Sequence, residues 1–280
     1  MRVTVFGASG LLGQALVQAL KDETVTALTS KDGDLRDTVR VQQAIRTSRP
    51  DWIILAAAYT DVDGCETNRG LAFAVNCEGA INVANAAREI ASRLLFVSTD
   101  YVFDGAKTSP YETGDARNPI NVYGESKARA EERLLEIMPD VCIVRTSWLF
   151  GIGGKSFPSA ILALAARHSE IPVVSDQRGC PTFTSDLAPV LVQLCRKSAL
   201  GIVHATNSGS CTRYHMAREI VRIARLATVV KPVRTAEFPR PARRPAYSVL
   251  SPASLHALGI QMPEWQDALR RYLAAAPTQP

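Results

Sequence analysis

The chain has 280 residues, of which 46% are hydrophobic and 21% charged, with a formal net charge of +5 and a pI near 9.0. This composition is typical of a globular protein with a substantial core, and no apolar run approaches the roughly 20 residues of a membrane helix. The positive residues are spread out, without the aromatic-interleaved basic stripe of single-strand binders. We therefore expect neither a membrane nor a nucleic acid as partner, and an anionic small molecule as substrate.

Short apolar runs alternate with helical patterns through the first 150 residues. Strands are predicted at 3–6, 25–28, 52–58, 94–98 and 141–144, and helices at 11–20, 38–47, 71–90 and 123–137. Repeated strand–helix–strand units of this kind build a parallel sheet with right-handed crossovers and helices on both faces. The sequence therefore predicts an α/β protein with a Rossmann-type, doubly wound parallel sheet.

The pattern loosens after residue 150. Helices are predicted at 157–168, 186–196 and 216–226, with a strand at 171–174. We expect residues 1–150 to form an NADP-binding domain, rejoined by about 184–198. Residues 151–280 are then mainly a smaller C-terminal α/β lobe that binds substrate.

A glycine-rich loop joins the first predicted strand to the first predicted helix. In residues 7–13 (GASGLLG) the glycines allow a tight turn and let the backbone approach a pyrophosphate at the helix N-terminus. Gly-x-x-Gly-x-x-Gly is the spacing of short-chain dehydrogenase/reductases, so the loop predicts a dinucleotide site. Its cofactor-binding residues are Gly7, Ser9, Gly10, Leu11, Leu12 and Gly13.

The end of the second predicted strand bears on the choice of cofactor. An acid there would hold the ribose 2′-hydroxyl and repel a 2′-phosphate, but residues 28–31 read LTSK. Ser30 and Lys31 therefore favour NADPH, with NADH possible. Asp34 and Leu35 are expected near the adenine. Three small residues should let the cofactor cross the sheet edge: Ala56, Ala57 and Ala58.

A Tyr-x-x-x-Lys pair opens the helix predicted at 123–137. The spacing puts Tyr123 and Lys127 on one helical face, where an ammonium would lower the pKa of the phenol. Thr99 follows a predicted buried strand, at the edge where open α/β sheets bind ligands. We interpret Thr99, Tyr123 and Lys127 as catalytic residues, with Tyr123 and Lys127 also touching the cofactor.

Several further motifs identify a family. The chain resembles the dTDP-4-dehydrorhamnose reductases, which are extended short-chain dehydrogenase/reductases, over nearly its whole length. The motifs that carry the resemblance are residues 57–63 (AAYTDVD), 98–105 (STDYVFDG), 121–127 (NVYGESK), 145–148 (RTSW), 179–182 (GCPT) and 241–245 (PARRP).

The resemblance implies reduction of the C4 keto group of dTDP-4-dehydro-L-rhamnose, with a hydride from the nicotinamide and a proton from Tyr123. Arg243 and Arg244 are candidates for the substrate phosphates, since guanidinium forks suit phosphate oxygens. The other substrate-binding residues that we predict are Thr60, Val62, Thr99, Tyr101, Tyr123, Trp148 and Thr182.

One position departs from the family pattern. Some members hold a metal between subunits through a carboxylate two positions after the last glycine of the loop, where this chain has Ala15. We therefore predict no metal, and either a monomer or a homodimer. The six cysteines lie far apart without a Cys-x-x-Cys pair, which indicates a reducing compartment and a cytoplasmic enzyme.

Other activities stay open at this point. Dehydratases that look like this chain carry an acidic pair after the threonine, whereas Asp100 here is followed by Tyr101. A related nucleotide-sugar 4-ketoreductase or 4-epimerase would carry the same triad. A non-catalytic subunit resembling the methionine adenosyltransferase β subunit would keep the Tyr-x-x-x-Lys pair as well. The nucleotide and the configuration at C4 are likewise undetermined by residue types.

Overall fold

A computed structural model describes residues 1–275 of the chain. The strands are β1 (Arg2–Phe6), β2 (Thr24–Leu28), β3 (Trp52–Leu55), β4 (Arg93–Thr99), β5 (Cys142–Thr146), β6 (Leu149–Phe150), β7 (Glu170–Val174), β8 (Arg178–Gly179), β9 (Thr182–Phe183), β10 (Gly201–His204), β11 (Cys211–Thr212) and β12 (Val229–Val233). The α-helices are α1 (Leu11–Ala19), α2 (Thr38–Ser48), α3 (Val62–Thr67), α4 (Arg69–Phe73), α5 (Gly79–Glu89), α6 (Val122–Ile137), α7 (Phe157–Ala165), α8 (Thr184–Arg196), α9 (Arg213–Ile223), α10 (Ala253–His256) and α11 (Trp265–Ala275).

A six-stranded parallel sheet forms the centre of the molecule, in the order β10-β5-β4-β3-β1-β2. Successive side chains of a strand point to opposite faces, and both faces are covered here. Val5 and Ile54 belong to the core on one face, while Phe6 and Ile53 belong to the core on the other. This double burial explains the unbroken apolar runs, and it confirms the predicted Rossmann-type fold.

The chain returns to this sheet after residue 183. Helix α8 packs its Leu187 and Leu191 into the same core as Leu12 and Leu16 of α1. Strand β10, which the sequence analysis did not predict, then pairs in parallel with β5. Four residues beginning with a glycine give little periodicity, so neighbouring helices and strands decide this element.

Most of the other elements after residue 150 form a smaller lobe, whereas α10 packs its Leu255 into the core under the sheet. Strands β7 and β12 pair in parallel, and α7, α9 and α11 surround a core of aromatic and aliphatic side chains. Phe150 and Phe183 stack with ring centroids 5.3 Å apart, and the edge of Tyr272 meets Phe150. No helix within residues 1–275 is long and apolar enough to cross a membrane.

The helix predicted at 71–90 is interrupted. Between α4 and α5 the residues Ala74–Glu78 form a π-helical turn. The turn aims the Asn76 amide away from the helix, where it accepts from Tyr59 N (2.7 Å) and donates to Ser126 Oγ (3.0 Å). Such turns occur frequently at functional sites. This one ties the loop that follows β3 to α6.

Candidate active site

A cavity of about 910 Å³ opens at the carboxyl edge of the parallel sheet. In open α/β sheets this edge is where ligands bind. Most residues predicted to touch cofactor or substrate line it: Gly7, Ser9, Gly10, Leu11, Leu12, Gly13, Ser30, Asp34, Leu35, Ala56, Ala57, Ala58, Thr60, Val62, Thr99, Tyr101, Tyr123, Lys127 and Trp148. The lining does not include four others, Lys31, Thr182, Arg243 and Arg244.

The glycine loop is shaped by two close backbone approaches. Gly7 has φ of +88°, and a Cβ there would lie 2.7 Å from Ala57 N. A Cβ at Gly13 would lie 2.0 Å from the Gly7 carbonyl oxygen. Gly10 caps α1 without a side-chain hydrogen bond, which leaves N–H groups of the first turn free for an anion. The loop therefore fits a dinucleotide pyrophosphate.

Replacing Gly13 with alanine is expected to weaken NADPH binding at least about tenfold, because the added methyl would displace the Gly7 carbonyl and the loop around it. Gly70 is the matched control, since a Cβ there meets no atom within 4 Å. NADPH titration of Gly13→Ala and Gly70→Ala tests this. Wild-type affinity in Gly13→Ala would show that the loop tolerates the methyl group.

The adenosine end of the cavity contains a cation that sequence analysis missed. Arg36 lines the cavity and makes an ion pair with Asp34, with Nη2 2.6 Å from Oδ2. The Arg36 side chain holds the pKa of Asp34 below its usual range. Ser30 lines the same end, whereas Lys31 is exposed outside it. A neutralised carboxylate beside a hydroxyl is compatible with the 2′-phosphate of NADPH.

The catalytic candidates come from β4 and α6. The Asn121 side chain caps α6 by accepting from Gly124 N at 2.8 Å, so the helix presents Tyr123 in its first turn. Tyr123 is next to Thr99, which ends β4. Burial raises the pKa of Tyr123, and the hydrogen bond with Thr99 opposes that rise. The phenol therefore stays protonated at neutral pH.

Lys127 does not act on Tyr123 as the spacing predicted. Its Nζ donates to the Val97 carbonyl oxygen at 2.7 Å and lies 3.8 Å from the centroid of the Phe96 ring. Burial lowers the pKa of Lys127 to about 7, while the Glu131 carboxylate opposes this shift. The expected lowering of the Tyr123 pKa by an ammonium is thus wrong for this structure, because burial dominates and the amine is directed toward β4.

Asp100 contributes a second polar group beside Thr99. Its side chain is buried, and burial raises its pKa to about 6. The Oδ1 atom accepts from Thr99 Oγ1 at 3.1 Å, whereas Oδ2 has no hydrogen-bond partner within residues 1–275. Asp100 lines the cavity, but its Oδ2 atom is inaccessible to solvent, and the neighbouring Ser248 and Arg213 side chains oppose the rise in its pKa.

Aromatic side chains and a cation surround the centre of the cavity. The Tyr101 ring meets the Tyr123 ring edge-on, with centroids 6.0 Å apart. Trp148 has a left-handed backbone (φ of 48°), a strained conformation that clusters at functional sites. The Arg213 guanidinium lies over the Trp148 and Phe157 rings. Arg213 and Phe157 line the cavity but carry no motif that sequence analysis could use.

Three predicted substrate residues have other partners in the structure. Thr182 is buried, and its hydroxyl donates to the Cys180 carbonyl oxygen at 3.3 Å. Arg243 is exposed, and its carbonyl oxygen accepts from Asn121 Nδ2 at 2.8 Å. Arg244 makes an ion pair with Asp63 and also lies beside Tyr101. The structure thus brings Arg244 near the cavity but not Arg243.

Acidic and metal-binding side chains are scattered. Within residues 1–275, no group of three or more His, Cys, Asp or Glu residues is arranged to hold a metal ion. Ala15, at the position where some relatives of the family pattern carry a carboxylate, packs against the core under α1. The prediction of an enzyme without a metal therefore stays a prediction.

Comparison with known proteins identifies the family to which the chain belongs. Residues 1–277 match the RmlD substrate binding domain. The chain is 39% identical to the spore coat polysaccharide biosynthesis protein SpsK of Bacillus subtilis, over 97% of this chain and 96% of that protein. It is 40% identical to a dTDP-4-dehydrorhamnose reductase of Mycobacterium tuberculosis, over 98% and 93%. The crystal structure of dTDP-4-dehydrorhamnose reductase from Bacillus anthracis in complex with NADP superposes with a TM-score of 0.95, at 38% identity and 98% coverage of both chains. The chain belongs to the RmlD substrate binding domain family, the family of the dTDP-4-dehydrorhamnose reductases that its motifs resemble.

Proposed function

We propose that this chain is an NADPH-dependent oxidoreductase that reduces the C4 keto group of dTDP-4-dehydro-L-rhamnose to give dTDP-L-rhamnose. The observation that carries the proposal is the placement of Thr99 and Tyr123 in the cavity that the glycine loop also lines. A reductase needs its proton donor and its dinucleotide loop in one site. Family membership and the names of the relatives support the substrate.

The chain's own residues account for binding and proton transfer. The glycine loop holds the pyrophosphate of NADPH, and Ser30 with Arg36 faces its adenosine end. When bound, NADPH supplies the hydride that reaches C4. Thr99 orients the C4 oxygen by a hydrogen bond, and Tyr123 donates its phenolic proton to that oxygen. Burial keeps the phenol of Tyr123 protonated at neutral pH, which is the form that reduction consumes.

Lys127 has a positional role in this scheme. Its amine is anchored to the Val97 carbonyl, on the strand that carries Thr99. This contact fixes α6 against β4, and because Lys127 also lines the cavity, its proposed role is to hold the nicotinamide ribose. Two further proposals concern the domain division and the cellular compartment of the enzyme. The division into a cofactor domain and a substrate lobe is supported by the separation of the lobe core from the two cores of the sheet. The six buried free cysteines support a reducing, cytoplasmic compartment.

The decisive experiment is NADPH oxidation by the purified protein, with dTDP-4-dehydro-L-rhamnose generated in situ and the product identified by NMR. The expected product is dTDP-L-rhamnose, with a higher kcat/KM for NADPH than for NADH. The 4-epimeric product, 6-deoxy-L-talose, would make the chain a different 4-ketoreductase. A tightly held NAD without net turnover would indicate a 4-epimerase. If the protein neither reduces the keto sugar nor holds NAD tightly, a role as a regulatory subunit would be favoured.

A further inference from the structure

Arg213 is held in one place at the centre of the cavity. It is the first residue of α9, and its guanidinium lies 3.6 Å from the centroid of the Trp148 ring and 4.9 Å from that of Phe157. Guanidinium groups stack on aromatic faces, and such stacking limits the freedom of a long side chain. Arg213 is therefore a preorganised cation rather than a mobile surface arginine.

Arg213 makes no ion pair within the described residues, although the buried Asp100 carboxylate lies close enough to oppose the lowering of its pKa. Within residues 1–275, no carboxylate oxygen lies within 4.0 Å of its guanidinium nitrogens, whereas Arg240 and Arg244 both make ion pairs with Asp63. Burial lowers the pKa of Arg213, which reflects the cost of removing this cation from water. An arginine stays protonated even so. A desolvated cation that lines a cavity is suited to an anion that enters that cavity.

Tyr101 links this cation to the catalytic centre. Arg213 and Arg244 both approach the phenol of Tyr101, and both oppose the rise that burial causes in its pKa. The Tyr101 ring in turn contacts Tyr123. Tyr101 therefore contacts both guanidinium groups and the proposed proton donor. The diphosphate is the anionic part of a nucleotide sugar, so it is the part of the proposed substrate that a cation in this cavity would attract.

We propose that Arg213 binds the diphosphate of the nucleotide sugar. This inference rests on the proposed function for its substrate class, a nucleoside diphosphate sugar. Guanidinium groups bind phosphate oxygens through paired hydrogen bonds. Neither arginine of the PARRP motif lines the cavity: Arg243 is exposed, and the charge of Arg244 is paired with Asp63. The cation of the diphosphate site is therefore supplied by α9.

Binding of dTDP and of UDP to the NADP⁺-saturated protein, measured by calorimetry, tests the proposal. Loss of a charge-assisted hydrogen bond lowers affinity by roughly 10–100-fold, so we expect that loss for both nucleotides in Arg213→Gln. Arg213→Lys keeps the charge and should retain part of the affinity. Arg243→Gln is the matched control and should bind both nucleotides like wild type. NADPH affinity, measured on each variant, should be unchanged.

Three outcomes would overturn the proposal. One is wild-type affinity for dTDP in Arg213→Gln. Another is an equal loss in Arg213→Lys and Arg213→Gln together with a loss of NADPH binding, which would indicate a packing role. The third is no binding of either nucleotide to the wild-type protein. If the nucleotides bind in an Arg213-dependent way but the keto sugar is not reduced, the proposed function fails and the diphosphate site stands.

Discussion

Replacing Tyr123 with phenylalanine is expected to lower kcat by a factor of roughly 10²–10⁴, the usual contribution of a positioned general acid. The substitution removes the hydroxyl that is hydrogen-bonded to Thr99 and leaves the buried ring in place. NADPH affinity should change less than about threefold, because the glycine loop and the adenosine end of the cavity are untouched. Single-turnover NADPH oxidation, with the affinity measured separately by titration, gives both numbers.

Tyr272→Phe is the matched control for this experiment. Tyr272 is also a buried tyrosine, but it packs against Phe150 and Phe183 in the smaller lobe, away from the cavity. The Tyr272→Phe variant loses the same phenolic oxygen, and its kcat should stay within about twofold of wild type. If Tyr123→Phe retained more than half of the wild-type kcat, the proton would have to come from another group, and Asp100 would be the first to examine.

The sequence predicted those parts of the site that lie in short, continuous segments. The glycine loop is recognisable because a tight turn and a close helix need glycine at Gly7 and Gly13, and the backbone distances there leave no room for a side chain. The pair Tyr123 and Lys127 is recognisable because a helix repeats every 3.6 residues. The buried strands are recognisable because both of their faces are covered.

The parts that the sequence did not reveal depend on contacts between distant segments. Arg213 reaches Trp148 only because α9 packs beside the turn after β5, and nothing local marks it as a cavity residue. The environment of Lys127 was predicted wrongly for a related reason. Helical spacing places it near Tyr123, but the Val97 carbonyl, thirty residues earlier in the chain, determines where its amine points.

A buried ion pair behind the active site gives the prediction with the largest expected effect on stability. Arg145 is 1% exposed and Glu131 is fully buried, with Nη2 2.6 Å from Oε2. Ser98 Oγ donates to the same carboxylate at 2.5 Å. Arg145→Met leaves the buried Glu131 carboxylate with only the longer contact to the partly exposed Arg117, whose Nη1 lies 3.4 Å from Oε2. The substitution should therefore lower the free energy of unfolding by about 3 kcal/mol, the low end for a broken buried pair. Urea denaturation of the protein without ligand measures it.

An exposed pair on the same helix is the matched control. Arg129 and Glu132 have side chains 55% and 45% exposed, so Arg129→Met should cost less than about 1 kcal/mol. The double variant Arg145→Met, Glu131→Leu should recover part of the loss, because it removes both buried charges. A loss below 1 kcal/mol in Arg145→Met would mean that the other neighbours of Glu131 compensate its charge without Arg145.

The same pair connects stability with the chemistry of the site. Glu131 lies one helical turn after Lys127, and its negative charge opposes the lowering of the Lys127 pKa by burial. Arg145 in turn pairs with Glu131 in a buried position, and Ser98 on β4 ties the carboxylate to the strand that carries Thr99. In the double variant the fold should recover while Lys127 loses its counter-charge. We therefore expect the Lys127 amine to deprotonate at a lower pH in the double variant. Recovered stability together with reduced activity near neutral pH would separate the two roles of Glu131, which are to pair with Arg145 and to supply a counter-charge to Lys127.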